Sequence, residues 1–411
     1  MCDTLVGLGS VTASGAVLFG KNSDREFNEA QHLEQHAAAE HCAGLSVRLT
    51  HREIPQARRT YAVLLSKPHW IWGAEMGANE HGLVIGNEAI FSRIDASLEP
   101  GIIGMDYLRL ALERSRCVEE AVHVLTSLLR EYGQGGQSGF QRKLAYHNAY
   151  LLADSNGAAI LETVEREWAL REIEDLDAIS NVMTIEAAFE ASSGTALSRA
   201  AELGHLTEPL NFKVAYEDVT QVQSGTFRRA RSLELLRSAR GRLEEADVFR
   251  ILRDHREGPP ITGRPGGPRI CMHHRDSPLG HTTGSWVSHL GKGRVIHWVT
   301  ATAAPCTSVF KPLLSTATLP FHGSLPGASE DATSLWWRHE GLRRCLEERG
   351  DATLSEYSAE RDSLEAQFLQ AVRGEGYADA LRSIVESCWR EAADFETRWL
   401  ARLMEPNSAA S

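Results

Sequence analysis

Cys2 follows the initiator methionine directly and opens an apolar run, Thr4-Leu5-Val6, that reads as a β-strand. Cysteine is small enough for an aminopeptidase to remove Met1 ahead of it. Removal leaves one residue carrying both a thiol and a free α-amine, whose ordinary pKa values are about 8.5 and about 7.7–8.0. An amine in that range is a usable base near neutral pH and can activate the nucleophile attached to it. In isolation, an incidental small residue after a start methionine would look the same. The surrounding chain has to decide.

Thr12-Ala13-Ser14-Gly15 is a turn signal, and Ala16-Val17-Leu18-Phe19 reads as a second strand. The resulting hairpin returns Lys21-Asn22-Ser23-Asp24 to the side of Cys2. Residues 26–60 are polar, rich in histidine and without clear period. His32 and His36 have the i, i+4 spacing that can hold a metal on a helix, but no third ligand completes a set. Tyr61 to Ser66 reads as a strand. Asn79-Glu80-His81-Gly82 reads as a tight turn, followed by a strand that carries Asn87 to its far end.

Met105 to Arg116 and Val118 to Tyr132 read as helices, the second ended by Gly133-Gln134-Gly135-Gly136. That glycine run lacks the Lys-Ser/Thr of a phosphate loop. Tyr146 to Ala153 and Ala158 to Val164 flank an Asn156-Gly157 turn, a strong hairpin signal. Trp168 to Ile173 and Ala178 to Asn181 continue as strands. Thr226 to Arg240 and Glu244 to Arg256 read as helices, Pro259 to Pro268 as a loop, and Ile270 to His274, Gly284 to Leu290 and Arg294 to Thr302 as strands. Pro305 to Lys311 is expected to close that sheet region. Beyond Leu335, apolar residues step by three and four, as in Leu354, Tyr357, Arg361, Leu364, Phe368 and Val372. Strands, two helices, then strands is an α+β pattern, unlike alternating βαβ.

Bulk properties narrow the function classes. A net charge of −12 argues against a nucleic-acid or anionic-membrane partner. The first 25 residues lack the basic and apolar regions of a signal peptide, and no run approaches the ~18 apolar residues of a membrane span. Seven scattered cysteines with no C-x-x-C pair suggest a reduced cytoplasmic protein, with neither a disulfide scaffold nor a zinc site.

Four stretches taken in order, Phe19 to Arg25, Trp72 to Gly82, Glu131 to Gly136 and Ser308 to Pro312, resemble the secernin family. Secernins are related to bacterial cysteine dipeptidases and, more distantly, to penicillin V acylase and bile salt hydrolase. The resemblance implies a four-layer αββα N-terminal-nucleophile hydrolase fold over residues 2–315, with a helical section at 330–405 that packs on the core or mediates self-association. Family members often carry a propeptide; here Met1 removal alone is expected to mature the enzyme.

The resemblance also implies roles. Cys2 would be the nucleophile, and Asp24 would orient the terminal amine. Lys21 stands where the acylases carry an arginine; it keeps the charge but loses the planar fork. Asn87 and Asn181 match asparagines that form the oxyanion hole and bind substrate. One pocket arginine is expected from Arg228, Arg229 or Arg231, which the sequence does not separate from a solvated basic face. Glu75, Glu80 and Glu88 could hold a substrate amine, with Asn79 beside Glu80 on the substrate side.

A Cys–His dyad using His273, His274, His281 or His289 is the rival mechanism, although no papain-like signature surrounds any cysteine. The expected activity is cofactor-free and metal-free hydrolysis of a dipeptide by a homo-oligomer. The alternatives are an acylase cutting a non-peptide amide, and a non-catalytic interaction protein on the same fold. Residues 26–60 and 133–145 are the expected pocket-lining loops.

Overall fold

The structure is a computed structural model that describes residues 1–256, 269–273, 280–315, 317–320, 322–375 and 378–405. Strand β1 (Cys2–Gly7) pairs antiparallel with β2 (Val17–Arg25), setting Cys2 opposite Ser23 and Asp3 opposite Asn22. On its other edge β2 pairs with the strand His281–Gly291, where Thr282 lies opposite Asp24 and an irregularity follows at Thr282/Gly284. Leu176–Ile179 flanks β1, while Arg294–Val299 and Lys311–Leu313 complete a six-stranded sheet. Cys2 therefore opens an interior strand.

A second, eight-stranded antiparallel sheet runs in the order Ala191–Ser192, Glu167–Glu172, Ala158–Val164, His147–Ala153, Val84–Ile90, Met76–Asn79, Val63–Pro68 and Gln31–His36. The two-residue period of each strand sorts its side chains between faces. Val6, Phe19, Trp286 and Val299 meet Leu64, Val84, Leu151 and Ile160 between the sheets. Their sequence neighbours Leu5, Leu18, Val287 and Trp298 point the opposite way, into the helices Gln223–Ser238 and Glu245–Leu252. Leu65, Ile85, Leu152 and Leu161 of the larger sheet pack on α1 (Gly104–Arg114) and α2 (Val118–Tyr132). The result is the four-layer α+β sandwich, with apolar residues on both faces of each sheet.

The helices Leu335–Arg349, Asp351–Gly374 and Ala378–Met404 fold back on the six-stranded sheet. Leu354, Tyr357, Phe368 and Val372 share one core with Phe249 and Trp298, and Trp389 Nε1 donates to the Pro312 carbonyl at 2.9 Å. Among the described residues, no helix is long and apolar enough to cross a membrane.

Several expectations are corrected. Ile270 to His273 form no strand, because their backbone bonds are single ones to the Asn22 and Thr282 side chains and to the Thr282 and Asp254 main chain, without a ladder; His274 lies outside the described residues, as do 259–268. Of Pro305 to Lys311, only Lys311 enters a strand. Residues 26–60 contain a full sheet strand, Gln31–His36, so His32 and His36 flank Glu34 on a strand and not on a helix.

Glycine permits the sheets to approach at one functionally placed point. A Cβ on Gly86 would lie 2.5 Å from Lys21 Cδ and 3.1 Å from Phe19 Cζ. Gly86→Ala is expected to cost about 1–3 kcal/mol, as overpacking does in a close-packed core, and to displace Lys21. Urea denaturation checks the first effect; unchanged stability would show that the sheets have slack here.

Candidate active site

The Cys2 side chain lies at the floor of a cleft of about 180 Å³ lined by residues that include Asp24, Arg25, Glu75, Asn87, Tyr146 and Asn181. Its Sγ accepts from the Asp24 backbone N–H at 3.4 Å and sits 3.8 Å from Glu75 Oε2. Burial pushes the thiol pKa up to about 12, against the lowering field of Lys21 and with the raising fields of Glu88 and Glu75. A free thiolate is therefore scarce near neutral pH. Nucleophilic use of this sulfur requires an adjacent base that takes its proton in the same step.

The group that removal of Met1 would turn into an α-amine is the Cys2 backbone nitrogen. It donates to Asn181 Oδ1 at 2.9 Å. The present terminus, Met1 N, donates to the Asp24 carbonyl at 2.9 Å, so the chain start is held against Asp24. Asp24 Oδ1 accepts from Thr282 Oγ1 at 2.6 Å, while Oδ2 is buried without a partner. Burial raises the Asp24 carboxyl pKa, opposed by the terminal ammonium. An unspent carboxylate oxygen beside a chain terminus is suited to hold an ammonium group.

Lys21 is fully buried. Its Nζ donates to the Asn87 carbonyl at 2.8 Å and lies 3.6 Å from Glu88 Oε1. Burial works against its charge, but Cys2, Glu88, Glu75 and Asp24 outweigh that and hold it above the usual lysine range. Lys21 therefore remains an ammonium, bound to main chain and carboxylate, behind the wall of the cleft.

Of the arginine run, the structure brings Arg228 to the site. Its Nη1 donates to the Cys2 carbonyl at 2.8 Å and to Asp3 Oδ2 at 2.5 Å, and its Nη2 donates to Asn181 Oδ1 at 2.7 Å. Arg229, one residue on, turns outward to Asp177 and the Ala178 carbonyl. Arg231 pairs with Asp254. Arg228 is wholly inaccessible, so it acts on Cys2 and Asn181 and not by touching a ligand in the cleft.

The two asparagines differ in what they present. Asn181 Nδ2 donates to the Ala89 carbonyl at 2.8 Å, leaving a second N–H on the same nitrogen. Asn87 Nδ2 donates to Asn148 Oδ1, Asn148 Nδ2 to Gln134 Oε1, and Gln134 Nε2 to the Glu165 carbonyl. A main-chain carbonyl only accepts, so it fixes the orientation of every amide in this relay. Asn87 Oδ1, buried and without a partner, is consequently an acceptor.

Asn79 and Glu80 are not brought to the cleft. Asn79 ties the turn it belongs to, accepting from the His81 and Leu83 N–H groups and donating to the Leu112 and Ser115 carbonyls. Glu80 accepts from the Ala62 N–H. Their expected substrate contacts are thus corrected to a hairpin function. Glu75 lies beside the thiol, and Glu88 lies behind it with Lys21. Arg25, adjacent to Asp24 in the strand and given no role by the sequence, bonds Tyr146, Glu29 and Glu75. From the two expected loops, Glu26, Glu29, Gly139 and Arg142 line the cleft. No histidine among the described residues bonds Cys2: His289 pairs with Glu245, His281 faces Glu340, and His273 faces His255, Cys271 and Cys306.

Residues 11–264 match the family model for acyl-coenzyme A:6-aminopenicillanic acid acyl-transferase. The chain belongs to that family. Membership places the chain among the amide hydrolases of the N-terminal-nucleophile class; Cys2, the first residue of an interior strand, lies ahead of the matched residues. Among solved structures it is similar to a mutant conjugated bile acid hydrolase from Clostridium perfringens, at 14% identity over 76% of this chain and 92% of that one, with a TM-score of 0.45. It is also similar to penicillin V acylase from Agrobacterium tumefaciens, at 14% identity over 76% and 86%, with a TM-score of 0.44. A third is the Caenorhabditis elegans ortholog of N-acylethanolamine-hydrolyzing acid amidase, at 10% identity over 71% and 94%, with a TM-score of 0.37.

The arginine geometry generates a stability contrast. Arg228→Met strands the Asp3 carboxylate in the core and is expected to cost about 3–5 kcal/mol, as breaking a buried pair does. Arg229→Ala removes a half-buried pair and is expected to cost about 1 kcal/mol or less. Denaturant midpoints of the two variants check this; equal losses would contradict the hub role of Arg228.

Proposed function

We propose that this protein is a cytoplasmic dipeptidase of the secernin type, with Cys2 as its N-terminal nucleophile after Met1 is removed. Cys2 Sγ attacks the amide carbon while its proton passes to the Cys2 α-amine. The remaining N–H of Asn181 supports the oxyanion, where one aimed donor is worth ~2.7–4 kcal/mol. The C–N bond breaks as the α-ammonium returns the proton to the leaving amine, giving a thioester. Water then attacks the thioester, the α-amine again carrying the proton, and the acid and the free thiol are released.

The observation that carries the dipeptide reading is the charge arrangement of the cleft. Glu75, 3.8 Å from the thiol, is suited to a substrate ammonium. Arg142 at the exposed rim is suited to a carboxylate. Asn87 Oδ1 supplies an acceptor for a substrate N–H, a different use from the oxyanion role its position suggested. Met1 is itself part of the wall of this cleft of about 180 Å³, so its removal enlarges the space open to a substrate. The acylase alternative draws on the apolar part of the wall, Phe91, Leu144 and Tyr146. Seven free cysteines fit a reducing compartment.

Cys2→Ala is expected to abolish hydrolysis of a dipeptide panel while leaving the folded spectrum intact. Retained activity would refute the nucleophile, and cleavage of acyl amides but not dipeptides would favour the acylase. Asp24 favours the ammonium form of the α-amine and so raises its pKa. Asp24→Asn is therefore expected to move the acid limb of the pH profile of kcat/KM to lower pH while reducing kcat. An unmoved limb would mean that Asp24 does not contact the amine.

A further inference from the structure

Away from the cleft floor, the fold gathers four side chains that the proposed hydrolysis does not use. His255 follows the helix Glu245–Leu252, Cys271 and His273 lie on the irregular segment after it, and Cys306 comes from the turn before Lys311–Leu313. One ligand atom from each lies within 4.8 Å of all the others. His255 Nε2 and His273 Nε2 are 3.0 Å apart, and His273 Nε2 is 3.6 Å from Cys271 Sγ and 3.5 Å from Cys306 Sγ. Cys271, His273 and Cys306 are buried, and His255 is half-buried at the edge of the group.

We infer that His255, Cys271, His273 and Cys306 form a structural site for a tetrahedral, thiolate-binding divalent cation of the zinc class. Bonds of about 2.3 Å to sulfur and about 2.0–2.1 Å to nitrogen put neighbouring ligand atoms of a tetrahedron about 3.3–3.8 Å apart. The two sulfur–nitrogen distances fall in that interval, and the nitrogen pair, at 3.0 Å, is about 0.3 Å shorter than its lower end. Two sulfurs with two imidazole nitrogens are the donor set that selects zinc over calcium or magnesium. Four protein ligands close the coordination sphere, which is the mark of a structural site and not a hydrolytic one. The sequence concealed it because three separate segments supply the ligands and no C-x-x-C spacing survives.

The position gives the site its consequence. Cys271 and His273 bracket Met272, whose N–H donates to Thr282 Oγ1 at 2.9 Å, and the same Thr282 hydroxyl donates to Asp24 Oδ1. Ile270, next to Cys271, gives its carbonyl to Asn22 Nδ2 at 3.0 Å, and Asn22 also bonds the Leu252 carbonyl at the helix end. These residues have no β-ladder of their own to hold them. The cation clips the segment to the helix end on one side and to the Cys306 turn on the other, and so fixes the Thr282 hydroxyl against Asp24.

The test uses the full chain, expressed with zinc and purified under reducing conditions without chelator. Elemental analysis is expected to give about one zinc per chain, as closed Cys₂His₂ sites do. Cobalt(II) added to chelator-stripped protein is expected to give the intense visible bands of tetrahedral thiolate coordination. Cys306→Ser is expected to lose stoichiometric zinc, and stripping the wild type is expected to lower its thermal midpoint. Should Cys306→Ser fail to fold, the wild-type cobalt spectrum decides alone. Metal well below stoichiometry together with no thiolate–cobalt bands overturns the proposal, as does a Cys271–Cys306 disulfide found by mass in the reduced preparation. None of these readings depends on hydrolysis, so they stand or fall apart from the dipeptidase assignment.

Discussion

The Arg228 guanidinium is the interaction on which the site depends. It lies at zero exposure, between the first strand and the helix that covers it, and bonds the Cys2 carbonyl, Asp3 and Asn181 together. An ion in that position is stable only when its partners are fixed, because each unpaired buried charge costs several kcal/mol (order of magnitude). Fixing the partners fixes the nitrogen and carbonyl of Cys2. The same constraint applies on the other side of the strand, where Lys21 is held by Asn87 and Glu88. Cys2 is thus preorganised by buried charge and has little freedom of its own.

This arrangement accounts for the chemistry of a thiol that burial keeps protonated. A sulfur with its pKa pushed to about 12 cannot rely on standing thiolate. The nitrogen that Met1 removal would free already points at Asn181, and the orphaned Asp24 Oδ2 waits beside the terminus. The inferred cation belongs to the same logic. It substitutes for a missing ladder behind Thr282, the residue that aims Asp24.

The layers were legible because strand alternation is local: Leu5 and Val6, or Leu64 and Leu65, announce two covered faces whatever surrounds them. Cys2 and Asp24 were legible through the hairpin, and Val118 to Tyr132 through its period. Arg228 was not, since Arg228, Arg229 and Arg231 sit within one helical turn and differ only in which neighbour they meet. A clue existed in Gly225, Arg228 and Ser232, a buried stripe at spacings of three and four; a Cβ on Gly225 would lie 2.8 Å from the Asn181 backbone. Asn79 misled because a turn asparagine and a ligand-binding one are the same residue type. Asn87 was expected at a strand end and lies instead in the middle of Val84–Ile90, and the direction of its amide is set by a relay ending at the Glu165 carbonyl, far away in sequence. Long-range pairing of that kind leaves no local pattern.

The proposed reaction requires that Cys2, freed at its nitrogen, take the acyl group of the substrate. The most direct measurement is rapid quenching of the enzyme with a slowly deacylating dipeptide ester, followed by peptide mapping by mass spectrometry. An acyl adduct on Cys2, confined to chains that begin at Cys2, is the expected result. An adduct on another residue, or equal acylation of chains that retain Met1, would contradict it.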